Sequence, residues 1–404
     1  PAVKTVIAGL LSEVSLQSAR RLAESTYSRV VDTLDLSDKR RPDQQLDSIA
    51  RSRPDLVVLT GGTDGGASRS MLKMLEAVGL ACYLMPAEKR PMVLYAGNHK
   101  LANDVRELLG GHAGKLQISP NVRPSLEVED LEPASNVLAS LVTNLRQRQI
   151  KGVDELYNWS SGNLLPTAYA QGRMIRFLSR LYESTRGLLS VNMGASASTV
   201  AAGFNGELTL GVYPQFGLGE NLGAILQHTE IEQIMRWMQL DISSNTLREF
   251  LFQKSLYPST IPATQDELAI MQAITRQALY LAVRAARTNF PASAHAARTD
   301  LMPKLDLLIA GGGAIADNGS VGQSLLLLLD AIQPVGIMPF LLDQNNLLPM
   351  LGAAATRSNY LPVQVIESGA FIGMGTVVSV IASASYGETV LRAKLTYADK
   401  TEVR

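Results

Sequence analysis

The sequence predicts an α/β protein: a doubly wound parallel-sheet domain, then a second sheet built on a three-strand meander and interrupted by helices. Three observations carry this. Short apolar runs alternate with apolar-striped helical segments through residues 1–150, the rhythm of strands covered on both faces by crossover helices. A strand–turn–strand pattern follows from Gly187 to Val212, with Asn205-Gly206 as a two-residue hairpin. A later apolar strand then runs directly into Gly311-Gly312-Gly313.

Composition narrows the classes. A chain of 404 residues, 46% of them hydrophobic, can bury a large core and divides into two or three domains. Its 37 basic residues balance 37 acidic ones, which points to neither nucleic acid nor a membrane surface as partner. The single cysteine, Cys82, excludes an intrachain disulfide and fits a reducing cytoplasm. The histidines (His99, His112, His228, His295) show no metal-ligand spacing. A membrane span needs about 20 apolar residues, and the run from Ser324 to Ala331 is too short. The chain starts without Met and stops inside a strand-like run, Val390 to Val403, as an excised segment would.

In chain order, strands are expected at Val3 to Leu10, Arg29 to Leu36, Asp55 to Thr60, Met92 to Ala96 and Leu116 to Ser119. The intervening helices are Val14 to Ser25, Pro42 to Arg51, Ser68 to Val78, Leu101 to Leu109 and Ala134 to Arg146. Residues 151–186 form a connector and a helix whose Arg173, Arg176 and Arg180 share one face, read as solvated. The second unit, 187–360, contains a helical insert at 220–286 with breaks near Asp241 to Asn245 and Tyr257 to Ala263; Trp237 within it is core. Strands resume at Leu305 to Ala310 and Val335 to Leu342, with helices at Gly322 to Ala331 and Asn346 to Ala355. Residues 361–404 form a short β-rich tail: Val363 to Ile366, Thr376 to Ile381 and Thr389 to Tyr397.

Two places suit a ligand. The small-residue turn after the first meander strand (Asn192, Gly194, Ala195, Ser196, Ser198, Thr199) exposes backbone N–H groups to an anion, typically phosphate. The glycines Gly311, Gly312 and Gly313 let backbone approach a flat or phosphorylated ligand. A second candidate is Gly61, Gly62, Thr63 and Asp64, within a glycine turn that ends at Gly66 and follows a parallel strand, where such sheets bind ligands. No G-x-G-x-x-G fingerprint forms there, and simple chain reversal is the competing explanation.

A hairpin with a small-residue turn and, over a hundred residues later, a strand ending in three glycines resembles the second half of the actin, sugar kinase and heat-shock chaperone ATPase fold (RNase H-like). More narrowly, Pro54 to Gly66, Leu94-Tyr-Ala-Gly-Asn98, Gly187 to Gly203, Asp306 to Gly313 and Leu329 to Pro334 are similar to the glutamate mutase L (MutL-type) accessory family, unrelated to mismatch repair. That resemblance implies ATP with Mg²⁺ as cofactor and assistance to an adenosylcobalamin-dependent mutase as the role. The family turn resembles Asp-Val-Gly-Gly-Ala-Thr-Thr-Asp; here both acids are replaced, by Asn192 and Thr199. Mg²⁺ with nucleotide leans on one or two carboxylates, and an amide neither carries that charge nor acts as a base. A first phosphate turn would lie before residue 1. The expectation is therefore weak or lost nucleotide binding, no metal site and no catalytic residue in this chain. Three functions remain: a non-catalytic ATPase-like scaffold or chaperone acting through protein partners, a homo-oligomer among the assemblies left open; an ATP-dependent reactivase; and a metabolite-binding α/β domain using the Gly61 turn.

Overall fold

The computed structural model describes residues 1–181, 186–294, 301–396 and 402–403. Five strands come first: β1 (Val3–Ala8), β2 (Ser28–Leu34), β3 (Leu56–Leu59), β4 (Met92–Tyr95) and β5 (Lys115–Ile118). They are all parallel and lie in the order β2-β1-β3-β4-β5. The accompanying helices are α1 (Gln17–Glu24), α2 (Pro42–Ser52), α3 (Ser68–Leu84), α4 (Ala102–Leu109) and α5 (Glu132–Gln149). Val6, Val58 and Val93 sit on three adjacent strands. Met71 and Leu75 of α3 and Val105 of α4 pack on one face of this sheet, and Leu22 of α1 and Leu138 of α5 on the other. Strands buried on both faces are apolar at every position, which is how β3 and β4 read.

Local packing moves two helix ends. The helix expected from Val14 opens earlier, with a π-helical turn at Ser12–Leu16 folded over the end of β1, where the Thr60 hydroxyl donates to the Ser15 carbonyl at 2.6 Å. α3 runs on to Leu84 rather than ending at Val78. Its Gly79 lets α4 approach, since a β-carbon there would lie 2.8 Å from the Leu108 carbonyl oxygen.

After α6 (Val153–Trp159) and α7 (Thr167–Ser179) comes a six-stranded mixed sheet. Its strands are β6 (Gly187–Met193), β7 (Ser198–Phe204), β8 (Glu207–Tyr213), β9 (Leu305–Gly311), β10 (Gly336–Asp343) and β11 (Ile372–Ser379), in the order β11-β10-β9-β6-β7-β8. β6, β7 and β8 form the antiparallel meander, turning at Asn205 (φ 50°) and Gly206 (φ 85°). β9 is parallel to β6 and to β10, and β11 closes the other edge antiparallel. Between β8 and β9 lie α8 (Ile231–Met235), α9 (Ser244–Leu256) and α10 (Gln265–Arg287). Then follow α11 (Gly313–Ala316), α12 (Val321–Ile332), α13 (Leu347–Ala354) and α14 (Tyr360–Glu367). The insert helices and α12 bury one face of the sheet, on Leu189, Val191 and Val200. α7 and α13 bury the other, on Leu188, Ala201 and Ile309.

Three expectations are corrected. Val363 to Ile366, expected as a strand, lies inside α14. Four apolar residues do not distinguish strand from helix by period, and Val365 and Ile366 pack into the α7–α13 cluster. The arginine face of α7 is not merely solvated: Arg176 pairs with Glu132, and Arg173 donates to the Gly352 carbonyl at 3.0 Å. In the tail, Leu395–Thr396 (β12) pairs with Glu402–Val403 (β13), while 389–394 forms no strand. Residue 397 of that expected strand, 182–185 of the connector, and His295 lie outside the described residues.

The two sheets are joined largely by polar side chains. Arg21 of α1 pairs with Glu129 and donates to Asn289 at 3.1 Å, and the Asn289 carbonyl accepts from Thr209 of β8. Within the first unit Arg123 also pairs with Glu129, at 3.1 Å, and so holds that carboxylate against Arg21. Tyr169 of α7 hydrogen-bonds Asn136 of α5. At the same junction, burial raises the Glu24 carboxyl above its ordinary value against the opposing pull of Arg20 and Arg21. Burial likewise raises Tyr213, whose hydroxyl has no partner, and the charge of Glu24 adds to that rise.

A raised acid keeps its proton to higher pH when folded than when unfolded, so its ionisation subtracts stability as pH rises from the ordinary value through the folded one. Glu24→Gln should therefore stabilise the protein at neutral pH, with the gain shrinking as pH falls through the raised value and lost below the ordinary carboxylate value of 4.5. Urea unfolding at pH 4 and pH 7.5 measures this, and an equal gain at both would contradict it.

Candidate functional site

A row of residues crosses the second sheet where β6, β9 and β10 end. Asn192 is paired with Thr199 on β7 and with Gly311 on β9, and Gly311 with Asp343 on β10. Registered neighbours place their side chains on one face, here the face covered by α7 and α13. Asn192 Nδ2 donates to Asn346 Oδ1 at 2.9 Å. The buried Asp343 carboxylate accepts from the Leu347 and Leu348 N–H groups at 2.7 and 2.8 Å, capping α13. Asp343 and Asn346 are absent from the sequence-based candidates. Their signal is an acid at a strand end four residues before a helix, Asp343-Gln-Asn-Asn-Leu347.

The three glycines play unequal parts. Gly312 has φ 90°, and a β-carbon on it would lie 2.5 Å from the Met193 carbonyl oxygen and 2.8 Å from Asn192 Oδ1. The Gly311–Gly313 turn and the end of β6 are thus in backbone contact. At Gly311 a β-carbon would come no closer than 3.3 Å to anything, and at Gly313 its nearest neighbour is Asp317 Oδ2 at 3.6 Å. Nearby, Asn318 is buried and its Nδ2 has no partner.

The small-residue turn is clamped from outside. Gly194 N–H donates to Ala197 O at 3.1 Å, while the Gly194 and Ala195 carbonyls accept from Leu218 and Gly219 at 3.1 and 2.8 Å. The wholly buried Ser198 hydroxyl donates to Phe216 O at 2.6 Å. Gly194 N–H and the Ser198 hydroxyl are therefore engaged within the protein, and Ala195 and Ser196 form the exposed tip.

The Gly61 loop belongs to the other sheet. Gly61, Gly62 and Gly65 all have positive φ, which a side chain would resist. Asp64 Oδ1 accepts from His99 N–H at 3.1 Å and from Asn121 Nδ2 at 3.0 Å; Asn121 also donates to Gly62 O at 2.9 Å. Asn98, fully buried, accepts from Gly65 N–H at 3.2 Å and Lys100 N–H at 3.1 Å. Gly66 N–H closes on Thr63 O at 2.8 Å. Asn121, which sequence reading passed over, ties the loop to the end of β5. Most polar groups of the loop are spent on its own shape, as the chain-reversal alternative requires. Among the described residues no group of three or more His, Cys, Asp or Glu could hold a metal ion. No helix among them is long and apolar enough to cross a membrane.

These contacts separate the glycines experimentally. Gly312→Ala combines a strained φ, worth about 1–3 kcal/mol, with backbone overlap, and should lower unfolding stability by at least about 2 kcal/mol. Gly313→Ala should stay within about 0.5 kcal/mol, as substitutions away from tight contacts do. Equal effects in urea denaturation would mean that the Gly312–Met193 contact does not hold the turn.

A family model described as "MutL protein" matches residues 2–369. "Protein MutL" of Clostridium tetanomorphum is 27% identical over 213 residues, which cover 51% of this chain and 43% of that protein. The match thus spans less than half of that relative's length. With the family model covering most of its length, the chain belongs to the MutL (glutamate mutase L) family.

Proposed function

We propose that this chain is an accessory protein of the glutamate mutase L type: a degenerate ATPase-like scaffold that acts through a protein partner in the cytoplasm, an adenosylcobalamin-dependent mutase being the partner the family implies. On this reading residues 1–150 are one domain and 187–360 one half of the actin, sugar kinase and chaperone ATPase fold. The observation that carries it is the backbone contact between the Gly312 turn and the end of β6, beside the Gly194 turn. The antiparallel meander continued by two parallel strands supports the same fold. Such neighbouring turns suit a nucleotide, and five residues after Gly313 the buried Asn318 amide is a donor without a mate.

Chemistry, in contrast, is poorly served. Asn192 stands where an acid would organise Mg²⁺ and water, and its amide is tied to Asn346. The neighbouring carboxylate, Asp343, is committed to two helix N–H groups. Cys82 is no nucleophile either, since burial pushes its thiol up to about 11. The ATP-dependent reactivase is the second reading, favoured by the same paired turns. Metabolite binding at the Gly61 loop has less support because the loop satisfies its own polar groups.

A phosphate-release assay with Mg²⁺ and ATP tests the choice. The unmodified chain should show no turnover above buffer, and so should Asn192→Asp, because one restored acid supplies neither partner groups nor a free second carboxylate. Loss of general acid–base help alone commonly costs about 10² to 10⁴ in rate. Turnover by the unmodified chain that Gly312→Ala abolishes would replace the scaffold with the reactivase. Capture of the mutase from the native host by the tagged chain, with or without ATP, is the matching positive result.

A further inference from the structure

A second site lies in the helical insert, formed by two facing helical stripes. Glu230, Gln233 and Arg236 recur at threes along α8 and its flanks; Gln277, Tyr280 and Arg284 recur along α10. Such spacings put each set on one helix face, and between them is a cavity of about 460 Å³. That volume is within the range of small-molecule sites, about 300–1,000 Å³. The lining is polar and built. Gln277, 2% exposed, accepts from Trp237 Nε1 at 2.9 Å and donates to the Thr229 hydroxyl at 2.9 Å. The Arg236 guanidinium lies 4.4 Å from the Trp237 ring centroid and 5.8 Å from that of Tyr280.

Neither Arg236 nor Arg284 has an ion-pair partner among the described residues. Both are exposed, whereas the half-buried Arg21, Arg123, Arg176 and Arg276 pair with acids. Two arginines against the single carboxylate of Glu230 leave the cleft net positive. Stacking on aromatic rings orients a guanidinium fork while leaving its N–H donors free for an oxyanion.

We propose that this cleft binds a small organic molecule through a carboxylate or phosphate group, held by Arg236 and Arg284 with Gln233 at its side. The site is separate from the paired glycine turns. Leu268, near the start of α10, lies by Gly319 beyond the glycine turn, whereas Tyr280 lies twelve residues further on, about 18 Å along the helix. The cleft shares no lining residue with the Gly194 or Gly312 turns, so it stands or falls apart from the nucleotide reading.

The test uses the whole chain carrying Trp159→Phe, so that Trp237 alone reports by fluorescence. Sodium phosphate and sodium succinate are titrated separately at constant ionic strength. At least one probe should give saturable binding, weakened tenfold or more by Arg236→Gln and by Arg284→Gln. Arg248→Gln, on the exposed surface of α9, should leave it unchanged. Saturation by phosphate alone assigns a phosphoryl ligand, and by succinate alone a carboxylate. Circular dichroism of the arginine variants separates lost binding from lost fold. Saturation by neither probe, or an affinity unmoved by both arginine substitutions in folded protein, overturns the proposal.

Discussion

The backbone of Gly312 lies against the backbone of Met193, and the edge of the second sheet where β6 and β9 end is arranged around that contact. Parallel pairing brings Gly311 beside Asn192, after which the chain must leave β9 sharply or collide with the end of β6. It leaves through φ 90°, a conformation open to glycine and resisted by other residues. α11 therefore begins at the following residue, and the Asn192 carboxamide is caught between Gly312 and Asn346. Through Asn346 the same row reaches the start of α13, which Asp343 caps. One absent side chain thus lets a strand end and two helix starts converge.

A different physics joins the first sheet to the second. Both have apolar cores of their own, and the contacts between them include the Arg176–Glu132 ion pair and the hydrogen bond from Arg21 to Asn289. Partly buried pairs return little net stability once desolvation is counted, yet removing one partner strands the other. Their effect is to define orientation. The cost is visible at the same junction, where Glu24 is held above its ordinary titration range and the Tyr213 hydroxyl is left without a partner.

Much of the fold was legible because buried strands and amphipathic helices have different periods. Parallel strands such as β3 read directly as apolar runs, and Asn205-Gly206 marked its hairpin through a positive-φ requirement that few other pairs meet. Val365 and Ile366 were misread because four apolar residues carry no period; only the cleft between α7 and α13 into which they pack makes them helical. The arginines of α7 were correctly placed on one face, but what that face meets depends on α5 and α13, which are distant in sequence.

The candidate site divides along the same line. The sequence by itself determined that small-residue turns end β6 and β9, that acids are missing at positions 192 and 199, and that the family is MutL. These are properties of residue identity and order, readable without coordinates. Only the tertiary structure decided that Gly312, among three glycines, is the one its surroundings require, and that Asp343 caps a helix beside Asn192. It alone brought Arg236 and Arg284 together across one cavity. The reason is that each depends on which atoms of remote segments come within bonding distance, a quantity set by sheet register and helix packing rather than by local pattern.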